Sequence, residues 1–488
     1  MHNSKIPIIR RLARSGDTMR AWQMFTDAAL EGDRHPDTLT LKGRLLKDRG
    51  LSAPSAAERA RLLGAARQAY LSAAAMMPAT YPLINAATIA LLEGNRNDAA
   101  ILATRVVTML DAGDHEPETA YWLHATRAEA CLLLGEIDKG QAVLAQAVRQ
   151  APRAWEDHAS TLRHFRLIMA TLQQPADWLD AYRPPASLHF NGIIHVAPDQ
   201  TQSPERIAEA VDRIRPGFAF GALAAGADIM VAEALLERDV ELHVMLPATI
   251  EGFRHDSVSC FGAHWEARFD AILDAAASVE TIEALDTVSQ SGIYVGDEMA
   301  MGCAIRHARQ LESHAVALRA GDGTRAQGSL LDAAWREHGL PIERVLLERS
   351  GATTSPPPTF AREALVAVPD GEQADHFAHA GATLARHGAF TIARFDDPVA
   401  AARIALADVS LHGRTLGVTY GAYDPAGNTT QRLETAVRVA GAGLPGQVPV
   451  SRSLALALTL HAPDLHCENF GQIASAQGDL ALGLLAIR

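Results

Sequence analysis

Along the first third of the chain, apolar side chains recur at helical spacing in short bursts, each closed by Gly, Asn or Pro. Met19–Gly32 reads as an amphipathic helix closed by Gly32, and Pro36 opens a second that carries Leu39, Leu45 and Leu46 towards Gly50. Arg59–Met77 and Tyr81–Leu92 form another pair, stopped by Gly94-Asn95. Asn97–Leu110, Glu118–Leu134 and Ile137–Gln150 follow, with Pro152 just beyond. Paired helices of this length predict a helix-turn-helix array over residues 1–180. Gln173–Pro185, with three prolines, predicts the boundary that ends it.

From Leu188 the period changes to short apolar runs alternating with helices. Leu188–Val196, Gly217–Gly221, Val240–Leu246, His314–Ala320 and Ile342–Leu347 read as buried strands. Glu205–Ile214, the helix after Gly226, Trp265–Ala277, Met299–Glu312 and Ser329–His338 lie between them, and Ser291–Val295 reads as a short strand or a helix lead. This alternation predicts a Rossmann-like α/β layer with a parallel sheet over residues 186–350. Ser350–Thr359, rich in Ser, Thr and Pro, reads as a flexible linker or a surface crossing. Residues 360–488 predict an α+β domain. Its strands are Ala364–Val368, Phe390–Phe395, Gly413–Ala422, Gln447–Val450, Leu465–Phe470 and Leu480–Ile487, and its helices Gln373–His387, Val399–Ala407, Thr429–Ala440 and Ser451–Leu460.

Composition narrows the function. With 488 residues the chain is long enough for three domains of about 150 residues each. Lys and Arg number 44 against 57 Asp and Glu, a net charge of −13, which argues against nucleic acid as a partner. Cys131, Cys260, Cys303 and Cys467 are scattered, so neither a disulfide framework nor a thiolate zinc site is expected. No apolar stretch reaches the roughly 18 residues of a membrane span, and the basic start lacks a signal-peptide core. The expected setting is cytoplasmic.

The candidate chemistry centres on Gly217–Pro247, a strand, a small-residue loop, a helix and a second strand. Gly221 and Gly226 let backbone amides turn towards a phosphate, and the following helix directs its dipole there. In such sheets the crevice lies outside the carboxyl ends of the strands, which places Gly192, Gly221, Gly226, Asp228, Pro247, Asp322 and Gly323 around one rim. Asp228 is placed to cap the helix or reach a sugar hydroxyl, with Glu233 one turn further on. His255, Asp256, His264 and Glu266 lie close together, but their spacing matches no ligand pattern, and no metal or resident cofactor is expected. Trp122, His124 and Glu129 sit at helical spacing and read as packing.

Three resemblances follow. The phrase AEACLLLGEIDKGQAVLAQAVRQAP resembles a tetratricopeptide unit, which implies a surface for a protein partner. Gly192, the GALAAGADIMVAEAL loop and helix, the HVMLP strand end and the GDG stretch resemble the SLOG superfamily of nucleotide-binding Rossmann-like domains. The PGGxGTxxE loop of its LOG phosphoribohydrolases has no counterpart, so the resemblance implies binding without hydrolysis. In the last domain, LETAVRVAGAGLPGQVPVSRSLALAL, RFDDPVAAARIAL and FGQIASAQGDLALGLLAI resemble class III nucleotide cyclases. The catalytic set does not carry over. The first metal-binding Asp falls among Leu365, Val366, Ala367 and Val368, and the second in Arg386-His387-Gly388-Ala389. The transition-state Asn falls at Glu434, and Arg438 alone matches, as a vestigial phosphate-handling Arg. Asp370, Asp396 and Asp397 lie nearby. The order of domains resembles multidomain bacterial signalling proteins. It implies a cytoplasmic signalling protein that senses a nucleotide-derived ligand, with an inactive cyclase-like domain that forms a homo- or hetero-dimer. The alternatives are an active cyclase with displaced metal ligands and a scaffold with no ligand.

Overall fold

A computed structural model describes residues 5–196, 202–282, 285–323, 330–349, 357–369, 374–427, 429–475 and 478–487. The chain forms two compact units, one of Met1–Pro184 with Gln310–Glu312 and one of Pro185–Arg309 with Ser313–Arg488.

The first unit is a helical repeat array: α1 (Ile6–Ser15), α2 (Thr18–Asp27), α3 (Pro36–Leu51), α4 (Ala56–Met76), α5 (Thr80–Leu92), α6 (Arg96–Ala112), α7 (Ala120–Leu133), α8 (Ile137–Gln150) and α9 (Trp155–Leu172). Local chemistry sets the ends. Pro36 occupies the first turn of α3, Ser55 accepts from the Glu58 amide at the start of α4, Asn95 from Asp98 at α6, and Thr119 from Trp122 at α7. Helix α5 is buried from Pro82 to Leu91, as expected of a helix apolar on every side. The segment at Gln173–Pro185 is not bare linker, because Asp177–Tyr182 forms a 3₁₀ turn with Leu179 buried in the core.

The second unit holds two sheets. The first contains β1 (Ala186–Gly192), β2 (Pro216–Gly221), β3 (Glu241–Leu246), β4 (Ser278–Thr281), β5 (Ala315–Gly321) and β6 (Ile342–Leu346). Their order is β4-β3-β2-β1-β5-β6, with every pairing parallel. The chain reverses its winding between β1 and β5, which is where open α/β sheets present a ligand crevice. Helices α10 (Ser203–Ile214), α11 (Ala227–Leu236), α12 (Ile250–Ser257), α13 (Ala263–Ala275), α14 (Gln290–Gln310) and α15 (Leu330–Glu337) connect the strands. Ser291–Val295 is the first turn of α14.

The second sheet has the order β12-β13-β11-β10-β7-β9-β8, from β7 (Ala361–Pro369), β8 (Thr383–His387), β9 (Phe390–Phe395), β10 (Gly417–Tyr423), β11 (Pro449–Ser451), β12 (Leu465–Ser475) and β13 (Gly478–Ile487). Helices α16 (Asp375–His379), α17 (Pro398–His412), α18 (Thr429–Gly441) and α19 (Arg452–His461) complete it. Only β10 and β11 pair in parallel; the other neighbours are antiparallel.

One expected helix, Gln373–His387, is corrected. Helix α16 is five residues long and stops before Gly381, and Thr383–His387 is strand β8, paired with β9 through a turn at Gly388-Ala389. Cross-strand pairing outweighs the helical spacing of those residues. Most of the Ser350–Thr359 linker lies outside the described residues.

Helix α14 packs against both sheets. Glu298, 1% exposed, accepts from the Tyr420 hydroxyl at 2.7 Å and pairs with His461 Nε2 at 2.8 Å. Arg362 lies over the Tyr294 ring at 3.7 Å and donates to the Tyr420 hydroxyl. One turn along, Gly302 lies directly beneath the Leu456 carbonyl of α19, with room for no side chain.

Candidate functional site

A partly enclosed cavity of about 110 Å³ lies at the carboxyl ends of the parallel strands. Its walls come from the end of β1 and the residue after it (Asn191, Gly192, Ile193), the loop after β2 (Ala222, Ala224), Asp228 of α11, Met245 of β3 and Pro247 just after it, Gly296 and Asp297 of α14, and Arg349 after β6. Three of the sequence-predicted residues, Gly192, Asp228 and Pro247, meet here. The other five do not line it. Gly221 pairs with Phe190 inside the sheet, and Gly226 is held against the segment after β1. Glu233 points to α13 and forms a two-pronged pair with Arg268 at 2.5 and 2.7 Å. Asp322 accepts from Arg349 Nε at 3.2 Å, and Gly323 follows it with a left-handed backbone.

Three amides of the segment expected to cradle a phosphate are engaged within the protein. The Ala224 amide donates to Asp228 Oδ2 at 3.2 Å, that of Ala225 to the Ser257 carbonyl at 2.9 Å, and that of Ala227 to the Ile193 carbonyl at 3.0 Å. Gly226 makes this possible. Its φ of +124° suits glycine, and a Cβ there would sit 2.7 Å from the Ile193 oxygen. Gly192 serves the same packing, since a Cβ on it would meet Ala227 at 2.4 Å. Small residues after β2 therefore bring β1, α11 and α12 together, and Asp228 acts as a cap for its own loop.

The polar equipment of the cavity comes instead from a residue the sequence reading passed over. Asp297 stands on α14 with a side chain 23% exposed, and its Oδ2 accepts from Asn191 Nδ2 at 3.3 Å. Behind it His189, fully buried on β1, faces Asp297 Oδ1 through Nε2 at 3.6 Å and receives Arg319 Nη1 on Nδ1 at 2.8 Å. Arg319 in turn pairs with Asp332 at 2.8 Å. A ring nitrogen that accepts from a guanidinium carries no proton, so the proton sits on Nε2, towards Asp297. Burial, then the nearby Arg319, lower the affinity of His189 for a second proton. Burial pushes the Asp297 carboxyl up, but His189, Arg319 and Asn191 outweigh it and hold the group below the ordinary carboxylate range. The cavity wall carries an anion at neutral pH.

The vestigial cyclase positions look different. Leu365, Val366, Ala367 and Val368 are buried in β7 between β10 and β9, and Arg386 and His387 end β8 before the hairpin turn. Asp397 accepts from the Val399 amide at 2.8 Å as the cap of α17, and Asp370 lies outside the described residues. Glu434 and Arg438 are exposed one turn apart on α18. Elsewhere, Asp256 holds His255 and the Val288 amide, while His124 bonds the Ala120 carbonyl. Glu129 is buried against Thr88, and its carboxyl is pushed up by burial to about 7. No group of three metal-ligating side chains occurs among the described residues, and no described helix is long and apolar enough to cross a membrane.

A family model described as Tetratricopeptide Repeats-Sensor matches residues 9–91. No curated protein matches the chain. Among solved structures, a mutant of the Thermobaculum terrenum O-GlcNAc transferase is similar at 13% identity and a TM-score of 0.20, over 66% of this chain and 60% of that one. The chain thus spans about three fifths of that structure's length. The matched repeats form part of a helical array of the kind that supports protein interactions.

Proposed function

We propose that the chain is a cytoplasmic signalling protein whose cavity between β1, α11 and α14 takes a nucleotide-derived ligand. The repeats engage a protein partner. The seven-stranded sheet acts in dimerisation or regulation and makes no cyclic nucleotide. The observation that carries the reading is the cavity's position at the winding reversal of a parallel sheet, with Asp228, Asp297 and Arg349 in its wall. The family description of residues 9–91 as a repeat sensor accords with it. The second sheet keeps the cyclase-like segments and Arg438 but not the metal-binding acids, because an apolar β7 cannot hold Mg²⁺. The SLOG resemblance rests on Gly192, the loop and helix, the HVMLP strand end and the GDG stretch, and with three amides of that loop engaged it supports the fold of the crevice more than a phosphate seat.

Thermal-shift and calorimetric titration of the full chain with ribonucleotides and dinucleotides test the reading. A ligand at a hundredfold excess over its Kd stabilises by about 2.7 kcal/mol. Ala222→Phe, which fills the cavity from the loop, abolishes that gain. Absence of binding by any nucleotide leaves the ligand-free scaffold, a reading favoured by the committed loop amides. Cyclic product from ATP or GTP with Mn²⁺ would revive the enzyme.

A further inference from the structure

We infer that the cavity selects a vicinal sugar diol over a phosphate, and that Asp297 is the residue that sets this preference. The inference rests on the proposed function and names the part of the ligand that enters. Three observations converge on it. First, three amides of the loop and helix start, those of Ala224, Ala225 and Ala227, already donate to Asp228, Ser257 and Ile193. The cation of the wall, Arg349, already has Nε on Asp322.

Second, Asp297 presents an anion to the cavity. An ionised carboxylate repels phosphate and accepts two hydroxyl protons, one on each oxygen. Asn191 Nδ2 holds one of those oxygens and leaves lone pairs for a ligand. Third, His189 Nε2 is buried without a hydrogen-bond partner, 3.6 Å from Asp297 Oδ1. That gap is a few tenths of an ångström beyond a hydrogen bond. A diol that draws Asp297 towards β1 closes it, so ligand binding satisfies a polar group that is otherwise unpaired. The volume agrees: about 110 Å³ is somewhat less than a cavity that holds a benzene ring, which suits one five-membered sugar ring with the remainder outside.

The test compares four probes on the full chain by calorimetry: ribonucleosides, their 2′,3′-dideoxy counterparts, the matching 5′-nucleotides, and inorganic phosphate with pyrophosphate. The ribonucleoside is expected to bind about tenfold or more tighter than the dideoxy form, from loss of hydrogen bonds to a charged acceptor. Nucleoside and nucleotide bind alike, and phosphate and pyrophosphate do not bind. Asp297→Asn brings the ribo-to-dideoxy ratio towards one, with the circular dichroism spectrum as the check on folding. If that variant misfolds, the ratio measured on the unaltered chain decides. Nucleotides that bind while nucleosides fail, or tighter nucleotide binding by Asp297→Asn, overturn the diol preference and leave the nucleotide sensor standing. Failure of nucleosides and nucleotides together removes both.

Discussion

At the carboxyl end of the six-stranded sheet, β1 and β2 finish in small residues, and a wall that includes buried Asp228 and partly exposed Asp297 and Arg349 encloses free volume. Inside the seven-stranded sheet, between β10 and β9, β7 runs Leu365-Val366-Ala367-Val368 with every side chain buried, and the nearby Asp397 is spent as a helix cap. Both sheets have enough apolar surface to fold. They differ in whether polar groups remain after the backbone has been satisfied. In the first sheet Asp297 is held anionic with capacity to spare; in the second, Asp397 serves as a cap and Glu363 pairs with Arg432. A ligand needs oriented polar groups beside a void, and the first sheet has both at this cavity.

The comparison breaks most readily at α14, which belongs to both halves: Asp297 faces the cavity, and Glu298 faces Tyr420 and His461. Gly302→Leu is the severest test. A Cβ at 302 would lie 2.4 Å from the Leu456 oxygen, so α14 and α19 must separate, at a cost of about 3 kcal/mol. A single cooperative denaturant transition at a lower midpoint is expected. Two transitions, with only the second sheet affected, would show that the sheets fold separately and that α14 does not couple them.

How much of this was legible follows the same physics. The strand runs and the loop after β2 were readable because burial on both faces leaves uninterrupted apolar runs. The site was half readable. Gly192, Asp228 and Pro247 line the cavity, yet Asp297 was passed over, because it is remote in sequence from the loop and is brought to it only by α14, the connection that carries the chain from β4 at the sheet edge to β5 beside β1. A signal was present: Gly296-Asp297-Glu298 puts two acids in the buried stretch from Val295 to Ile305 of α14, where a carboxylate needs a partner. The meaning of Gly221 and Gly226 was not recoverable from sequence. Glycines that receive a phosphate and glycines that admit a neighbouring backbone look the same until the amide partners are known. The family match covers α1 to α5, whereas the most regular repeat phrase, at α7 and α8, lies outside it.

A smaller effect separates the sheets by pH. His307 of α14 bonds Ser187 Oγ at 2.9 Å and packs on Phe218, near His243, and its pKa is lowered by burial to about 4. The unfolded chain takes up this proton near pH 6.5 and the folded chain only near 4, so stability is full above about 6.5 and falls as pH drops between the two. After allowance for partial exposure, the loss is about 2 kcal/mol over that window. His307→Gln removes that part of the slope, as measured by urea midpoints from pH 7 to pH 4.5. An unchanged slope would mean that His307 is already solvated in the native state.

The smallest expected effect concerns Arg438, the last cyclase-like residue. It is exposed on α18, with Glu434 one turn before it on the same face. An exposed Arg beside a Glu at this spacing contributes about 0.3–0.5 kcal/mol, the scale of a solvated helix pair. Arg438→Ala should therefore shift the unfolding midpoint by no more than that, and leave nucleotide titrations of the six-stranded sheet unchanged. Loss of nucleotide binding in this variant would reverse the comparison, because a solvated pair has no means of altering a cavity on another sheet. The phosphate-handling role would then have outlived its metal ligands, and the second sheet would hold the ligand after all.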